Sequence, residues 1–241
     1  MSKVLILRLA GPMQSWGASS RFTQRTTEAF PTKSGIVGLL AAAQGRRRSD
    51  PIEDLAGLSL AARIDQPGQL LRDFHTAHRE HTSMPLSHRF YLSDAVFTAF
   101  IEGQDRLIET LSEAIRNPVF PLFLGRRACP PTLPLLLDVR RESAWDALVG
   151  LPWQAARFHQ RQHKAERTVS LRVVADTGMI PSAADPGRSI QDVPVSFDSA
   201  RRLYGVRQVE ETRILIDNPE FAGTPNTPVL GVTAHDPMEV I

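Results

Sequence analysis

The chain is poor in the residues that build metal centres, disulfide frameworks and membrane spans. Its single cysteine, Cys129, has no second thiol anywhere in 241 residues. Intrachain disulfides, zinc ribbons and CxxC redox pairs are therefore excluded. No apolar run approaches the ~18 residues of a spanning helix. The early stretch Val4 to Leu7 meets Arg8 before a signal-peptide core of about 7–15 residues is complete. A soluble, cytoplasmic protein with no membrane attachment is the expectation. Lysine is almost missing: Lys3, Lys33 and Lys164 are the only ones among 28 basic residues. The others are arginines, whose planar forks suit phosphates and stacking on bases, although a GC-rich genome gives the same bias. With a formal net charge of only +2, bulk electrostatics do not single out a nucleic-acid binder. Walker loops, dinucleotide fingerprints and nucleophile elbows are also missing.

What is present reads as a mixed fold. Val4 to Leu9 is a buried first strand stopped by Gly11-Pro12, and a polar loop follows to Pro31. Thr32 stands where it would cap a helix from Lys33, whose apolar face is Ile36, Val37, Leu39, Leu40 and Ala43, with Gly45 closing it. Leu58 to Ile64 and Phe90 to Ile101 read as strands, with an insertion between them. Leu107, Leu111 and Ile115 mark a second helix ended by Asn117-Pro118, and Val119 to Leu124 reads as a closing strand. The order βαββαβ is that of a ferredoxin-like, RRM-type α+β palm, an antiparallel sheet with helices on one face and an open face for single strands. Residues 1–130 form this unit. Residues 131–241 read as a smaller, irregular β-rich half, with a short helix at Ala144 to Val149 and strands at Thr168 to Ala175 and Arg213 to Ile216.

Several residues carry chemistry by type and position. Thr32, Lys33 and Ser34 sit at a helix start, where free N–H groups, the positive end of the dipole and an ammonium would converge on one anion; an ordinary capped helix is the plain alternative. Gln14, Ser15 and Trp16 offer amide, hydroxyl and indole groups to bases, unless Trp16 is simply core. Arg21 and Arg25 share that loop, and Arg126 and Arg127 follow Gly125. His75, His78, His81 and His88 fall in the insertion, but without cysteine and with few carboxylates they do not make a zinc set. His159 and His163 are spaced i, i+4 without the glutamate of a metalloprotease helix. Arg46-Arg47-Arg48 is a short charge run that also suits a helix C-terminus.

Four stretches together resemble the CasD family, the RAMP subunits that hold the 5′ handle of CRISPR RNA (crRNA) in type I-E Cascade. They are LILRLAGPMQSWG (Leu5 to Gly17), FPTKSGIVGLLAAAQG (Phe30 to Gly45), LRDFHT (Leu71 to Thr76) with FYLSDAVFTAF (Phe90 to Phe100), and FPLFLGRRACP (Phe120 to Pro130). Phe74 stands where the family commonly has tyrosine, and Ala128 where it has serine. The resemblance implies a palm and helix-one loop gripping the handle. It also implies a thumb at residues 73–91 against a CasC backbone subunit, CasA docked nearby, target DNA met through the assembled antiviral ribonucleoprotein, and cleavage left to CasE. It carries RNA contact to Gln14, Ser15, Trp16, Arg21, Arg25, Thr32, Lys33, Ser34, Arg72, His75, Arg89, Tyr91, Arg126 and Arg127. No catalytic residue, metal or cofactor is expected. The alternative is a metal-independent endoribonuclease processing precursor crRNA with His75 as base, although no sequence signal places Lys33 or Tyr91 beside it. A third reading is a module whose arginines serve neighbouring subunits.

Overall fold

The computed structural model describes residues 2–17, 24–76, 78–79, 82–83, 86–181 and 187–223. In chain order, β1 (Ser2–Ala10), β2 (Met13–Gln14) and β3 (Gln24–Arg25) precede α1 (Lys33–Ala43), α2 (Glu53–Ala56) and β4 (Ser59–Gln66). A hairpin region follows: β5 (Gln69–His75), the short β6 (His78–Arg79) and β7 (Thr82–Ser83), β8 (Ser87–Ser93) and β9 (Val96–Gln104). Then come α3 (Asp105–Arg116), β10 (Leu136–Arg140), α4 (Ala144–Gly150), α5 (Arg157–Gln162), β11 (Thr168–Asp176), β12 (Arg188–Ser196) and β13 (Leu203–Asp217). The protein is a strand-rich mixture of helix and sheet. Its main sheet runs β10-β1-β9-β4-β11-β13-β12, with every neighbouring pair antiparallel.

The run VLILRL forms a central strand because it is buried on both sides. Leu5, Leu7 and Leu9 join the cluster containing Ile36, Leu39 and Leu40 of α1 and Ile108 and Leu111 of α3. Val4 and Ile6 point the other way, to Ala144, Ala147 and Leu148 of α4 and to Leu151. The second face of the sheet is therefore covered, and the open RRM-type face expected from the βαββαβ pattern is absent. Phe100, which would lie on that face, is fully buried. At about 1.5–3 kcal/mol per buried large apolar side chain, this second layer stabilises the fold as the first does.

Two strand expectations need correction. Val119 to Leu124 forms no strand. Its first amides close α1 instead, with the Val119 and Phe120 N–H groups donating to the Ala43 and Ala42 carbonyls at 3.0 and 3.2 Å. The strand that follows α3 in the sheet is β10, beside β1. The stretch Phe90 to Ile101 is likewise two strands: Asp94 has φ 54°, a left-handed turn that asparagine and aspartate tolerate better than most residues. There β9 stays in the main sheet while β8 leaves it for a small sheet with β2, β3 and β5. Gly68, φ 71°, makes the matching corner between β4 and β5. The insertion is thus a ladder that begins at Gln69, four residues before Asp73, pairing Gln69 with Ser93 through His75 with Ser87. Its strand character is hidden in sequence because Leu70, Leu71 and Phe74 do not alternate.

The division near residue 130 does not separate two sheets, since β11, β13 and β12 extend the main sheet from β4. A buried ion pair binds α4 and the segment after it to β4. Arg63 and Asp65 of β4 have no exposed side-chain surface and pair at 2.8 Å. Arg63 also donates to the carbonyls of Leu148, Leu151 and Pro152, closing the C-terminus of α4. Asp65 accepts from Thr98 Oγ1 at 2.7 Å and from the Gln154 amide at 2.9 Å. Removing one member strands a buried charge, which typically costs about 3–5 kcal/mol. Asp65→Ala should lower stability in urea by that amount, and adding Arg63→Met should recover most of it; equal losses in the single and double variants would show that the charge is not what matters.

Candidate nucleic-acid interface

The loop after β1 is held by its own polar side chains. Gln14 is fully buried; its Nε2 donates to the Leu9 and Ala95 carbonyls at 2.9 and 2.7 Å, and its Oε1 accepts from Trp16 Nε1 at 3.1 Å. Ser15 donates to the Phe90 carbonyl at 3.0 Å. Trp16 is fully buried against α1, where a Cβ on Gly35 would lie 2.6 Å from the indole. The polar groups of these three side chains have partners inside the protein, where they position the loop.

The helix start also meets partners within the protein. Thr32 and Ser34 are buried, and the Thr32 side chain makes no capping bond to α1. The first N–H of the helix, on Lys33, donates to Asp192 Oδ2 at 2.7 Å. Lys33 Nζ binds Asp176 Oδ2 at 3.1 Å. Arg207 links the two carboxylates, reaching Asp192 through Nε at 2.7 Å and Nη2 at 2.8 Å and Asp176 through Nη1. The anion that α1 attracts is a carboxylate of β12, so a phosphate finds this site filled. No sequence signal connects Lys33 to Asp192 across 159 positions.

The other predicted residues converge on a different place. β3 lies parallel to β8 with Arg25 opposite Arg89, and β5 lies on the other side of β8 with Leu71 opposite Tyr91 and His75 opposite Ser87. Side chains alternate between sheet faces, so Arg25, Arg89, Tyr91 and His75 share one face. Arg126 joins them from the turn after Gly125. Its Nη2 donates to the Arg25 carbonyl at 2.8 Å and its guanidinium lies 4.8 Å from the centre of the Tyr91 ring, a cation–π geometry. Arg126 Nη1, Arg89 Nε and His88 Nδ1 are buried without a hydrogen-bond partner among the described residues. Arg25, Arg72 and Arg127 are exposed, with Arg72 on the opposite face of β5. His75 pairs with its neighbour Asp73 at 2.7 Å. Arg21 lies outside the described residues, as do the side chains of His78 and His81.

Pairing separates these arginines from some others of the chain, although Arg8, Arg47, Arg48, Arg106, Arg141, Arg167, Arg201, Arg202 and Arg213 are likewise unpaired among the described residues. Arg46, Arg63, Arg116, Arg140, Arg157, Arg161, Arg172, Arg188 and Arg207 each meet a carboxylate. Among the described residues, Arg25, Arg72, Arg89, Arg126 and Arg127 form no such pair. Unneutralised guanidinium groups can take phosphates and stack on bases. His159 and His163 sit elsewhere, edge-on to Trp153 at 5.7 and 5.8 Å, and no group of three metal-ligating side chains occurs among the described residues. Burial pushes the Cys129 thiol pKa up, which keeps it protonated.

The turn carrying Arg126 depends on a glycine. Gly125 has φ 81°, and a Cβ there would overlap the Ser15 carbonyl oxygen. The Ser15 amide donates to the Leu124 carbonyl at 3.2 Å and the Leu124 amide to that of Cys129 at 2.7 Å, so the turn is clipped to the loop after β1. Gly125→Ala should cost more than about 1 kcal/mol and release Arg126 from Tyr91. Thermal unfolding reads the first effect and tyrosine fluorescence the second; a variant with wild-type stability would deny the clip its role.

Residues 4–210 match the family described as CRISPR-associated protein (Cas5). Over 166 residues, covering 59% of this chain and 74% of the relative, the sequence is 39% identical to the CRISPR system Cascade subunit CasD of Escherichia coli strain K12. Among solved structures, a chain of a CRISPR RNA-guided surveillance complex superposes with a TM-score of 0.75 at 32% identity, covering 92% of this chain and 95% of that one. A second, described as the crystal structure of a Cas protein, gives 0.67 at 33% identity, with 92% and 99% covered. No helix among the described residues is long and apolar enough to cross a membrane. On the extent of the family match and these two identities, the chain belongs to the Cas5 family of CRISPR-associated proteins.

Proposed function

We propose that this chain is a non-catalytic subunit of a type I-E Cascade complex and grips the 5′ handle of crRNA along the edge formed by β3, β5, β8 and the Gly125 turn. The observation that carries this reading is the convergence of Arg25, Arg89 and Arg126, none of them paired with a carboxylate among the described residues, at Tyr91 of the small sheet, with Arg127 next in the turn and Arg72 on the other face of β5. The element order β1-α1-β4-β9-α3-β10, with β10-β1-β9-β4 in the sheet, supports naming the N-terminal half a ferredoxin-like palm. The β5–β8 ladder is its thumb. The C-terminal strands widen the palm.

RNA lies on the arginine edge because the broad sheet faces are covered. Phosphates take the guanidinium groups, and a base stacks on a guanidinium plane of the same set. The thumb, with Leu70 and Phe74 exposed, faces a CasC backbone subunit, and CasA and target DNA are met in the assembled cytoplasmic complex. Endoribonuclease chemistry is disfavoured by the same geometry. Lys33 is bound to Asp176, Tyr91 is buried under Arg126, and the His75 ring is paired with Asp73.

Binding of handle RNA over a range of salt tests this. Arg89→Gln, Arg126→Gln and Arg25→Gln should each weaken binding roughly tenfold, since hydrogen bonds to charged groups contribute about 1.5–3 kcal/mol, and should lower the salt slope by about 0.7 per lost phosphate contact. Lys33→Gln should leave the slope unchanged and reduce stability. Unaltered affinity in all three arginine variants would refute the interface. Precursor RNA should stay intact, whereas site-specific cleavage lost in His75→Ala would establish the enzyme.

A further inference from the structure

One charged surface lies apart from the arginine edge. The segment RFHQRQHKAER, Arg157 to Arg167, carries four cations and one carboxylate, Glu166, besides two histidines. That surplus of three exceeds the net charge of +2 for the whole chain. Arg157 and Arg161 share a single partner, Glu220, and keep 70% and 58% of their side-chain surface exposed. Lys164 and Arg167 are exposed and form no ion pair among the described residues. Phe158, between Arg157 and Arg161 in the chain, is 55% exposed and lies edge-on to His159 at 6.4 Å between ring centres.

The inward side of this short helix is fixed, although six residues would not hold a helix alone. Trp153 Nε1 donates to the Asp65 carbonyl of β4 at 2.8 Å, and Gln160 Nε2 donates to the Trp153 carbonyl at 3.0 Å. Asn218 closes the helix through the carbonyls of Gln160 and His163 at 3.2 and 2.9 Å. Trp153 packs with Val169 and Leu171, on the side of the sheet away from α1. Burial, followed by the nearby charge of His163, lowers the pKa of His159, so the positive charge here belongs to the arginines and Lys164.

We propose that α5 and the turn after it form a second nucleic-acid surface, which takes single strands other than the handle, with phosphates on Arg157, Arg161, Lys164 and Arg167 and a base on Phe158. Guanidinium groups interleaved with an exposed aromatic ring suit a flexible strand with π-faces better than an acidic protein surface. The surface stands independently of the handle reading.

Fluorescence anisotropy of labelled dT15 and rU15 tests it, using the full chain saturated with unlabelled handle RNA. Arg161→Gln/Lys164→Gln/Arg167→Gln should weaken oligonucleotide binding at least tenfold, with a salt slope lower by about 2 at ~0.7 per contact. Phe158→Ala should weaken it roughly fivefold or more, and neither change should alter handle affinity. Lys164→Gln/Arg167→Gln, which leaves both Glu220 pairs in place, should still lower affinity if the triple variant proves unstable. No binding on top of handle RNA, or equal binding by wild type and all variants, overturns the proposal. So does loss of dT15 binding in Arg25→Gln/Arg89→Gln/Arg126→Gln with the α5 variants unaffected, because a single site would then explain both ligands. A surface that captures an acidic peptide but not dT15 overturns it as well.

Discussion

The buried carboxylate of Asp192 is the contact on which much of this architecture turns. It caps α1 from β12 and, with Asp176, neutralises Arg207 and Lys33. Asp176 also accepts from the Leu60 amide of β4 at 3.0 Å, so one network ties the central helix to β4, β11, β12 and β13. Two positive side chains and a helix N-terminus require negative charge in a poorly solvated place, and two aspartates supply it. With that demand met inside the protein, the most obvious phosphate site in the chain is closed.

The same accounting of charge explains where binding is possible. Arginines paired with carboxylates hold elements together: Arg63 closes α4, Arg46 is bidentate with Asp54, and Arg172 and Arg188 share Glu211 over the buried Phe30 ring. Arg25, Arg72, Arg89, Arg126 and Arg127, on the small sheet and its neighbouring turn, are among those without such partners in the described residues. Composition cannot sort the two groups, since all are the same residue.

The bend of one hairpin brings the unpaired group together. Because the chain turns at Gly68 and Asp94, β5 and β8 leave the main sheet and meet β2 and β3, which sets Arg89 beside Arg25. The covered second face of the sheet makes this edge the available surface. Trp153 and α4 occupy the space that an RRM leaves for bases, with Arg63 and Asp65 buried beneath them.

The sequence by itself determined β1, α1, β4, α3 and β11, because their apolar patterns are strong and local: Leu5, Leu7 and Leu9 alternate, and Ile108, Leu111 and Ile115 make a helical stripe. It also carried the family resemblance in contiguous motifs, and Arg25, Arg89, Arg126 and Tyr91 of the site stand in or beside those motifs. Tertiary structure alone decided the rest. Pro194 concealed β12, whose place at the sheet edge tolerates a missing amide. Leu136 to Arg140 became a strand by pairing with β1, while Val119 to Leu124, more strand-like in composition, was drawn to the end of α1. Gln14, Trp16 and Lys33 looked like ligands by type, and only packing over long sequence separations shows their polar groups satisfied within the fold. Local pattern follows from neighbours along the chain, whereas the pairing of Lys33 depends on carboxylates brought from 143 and 159 positions away.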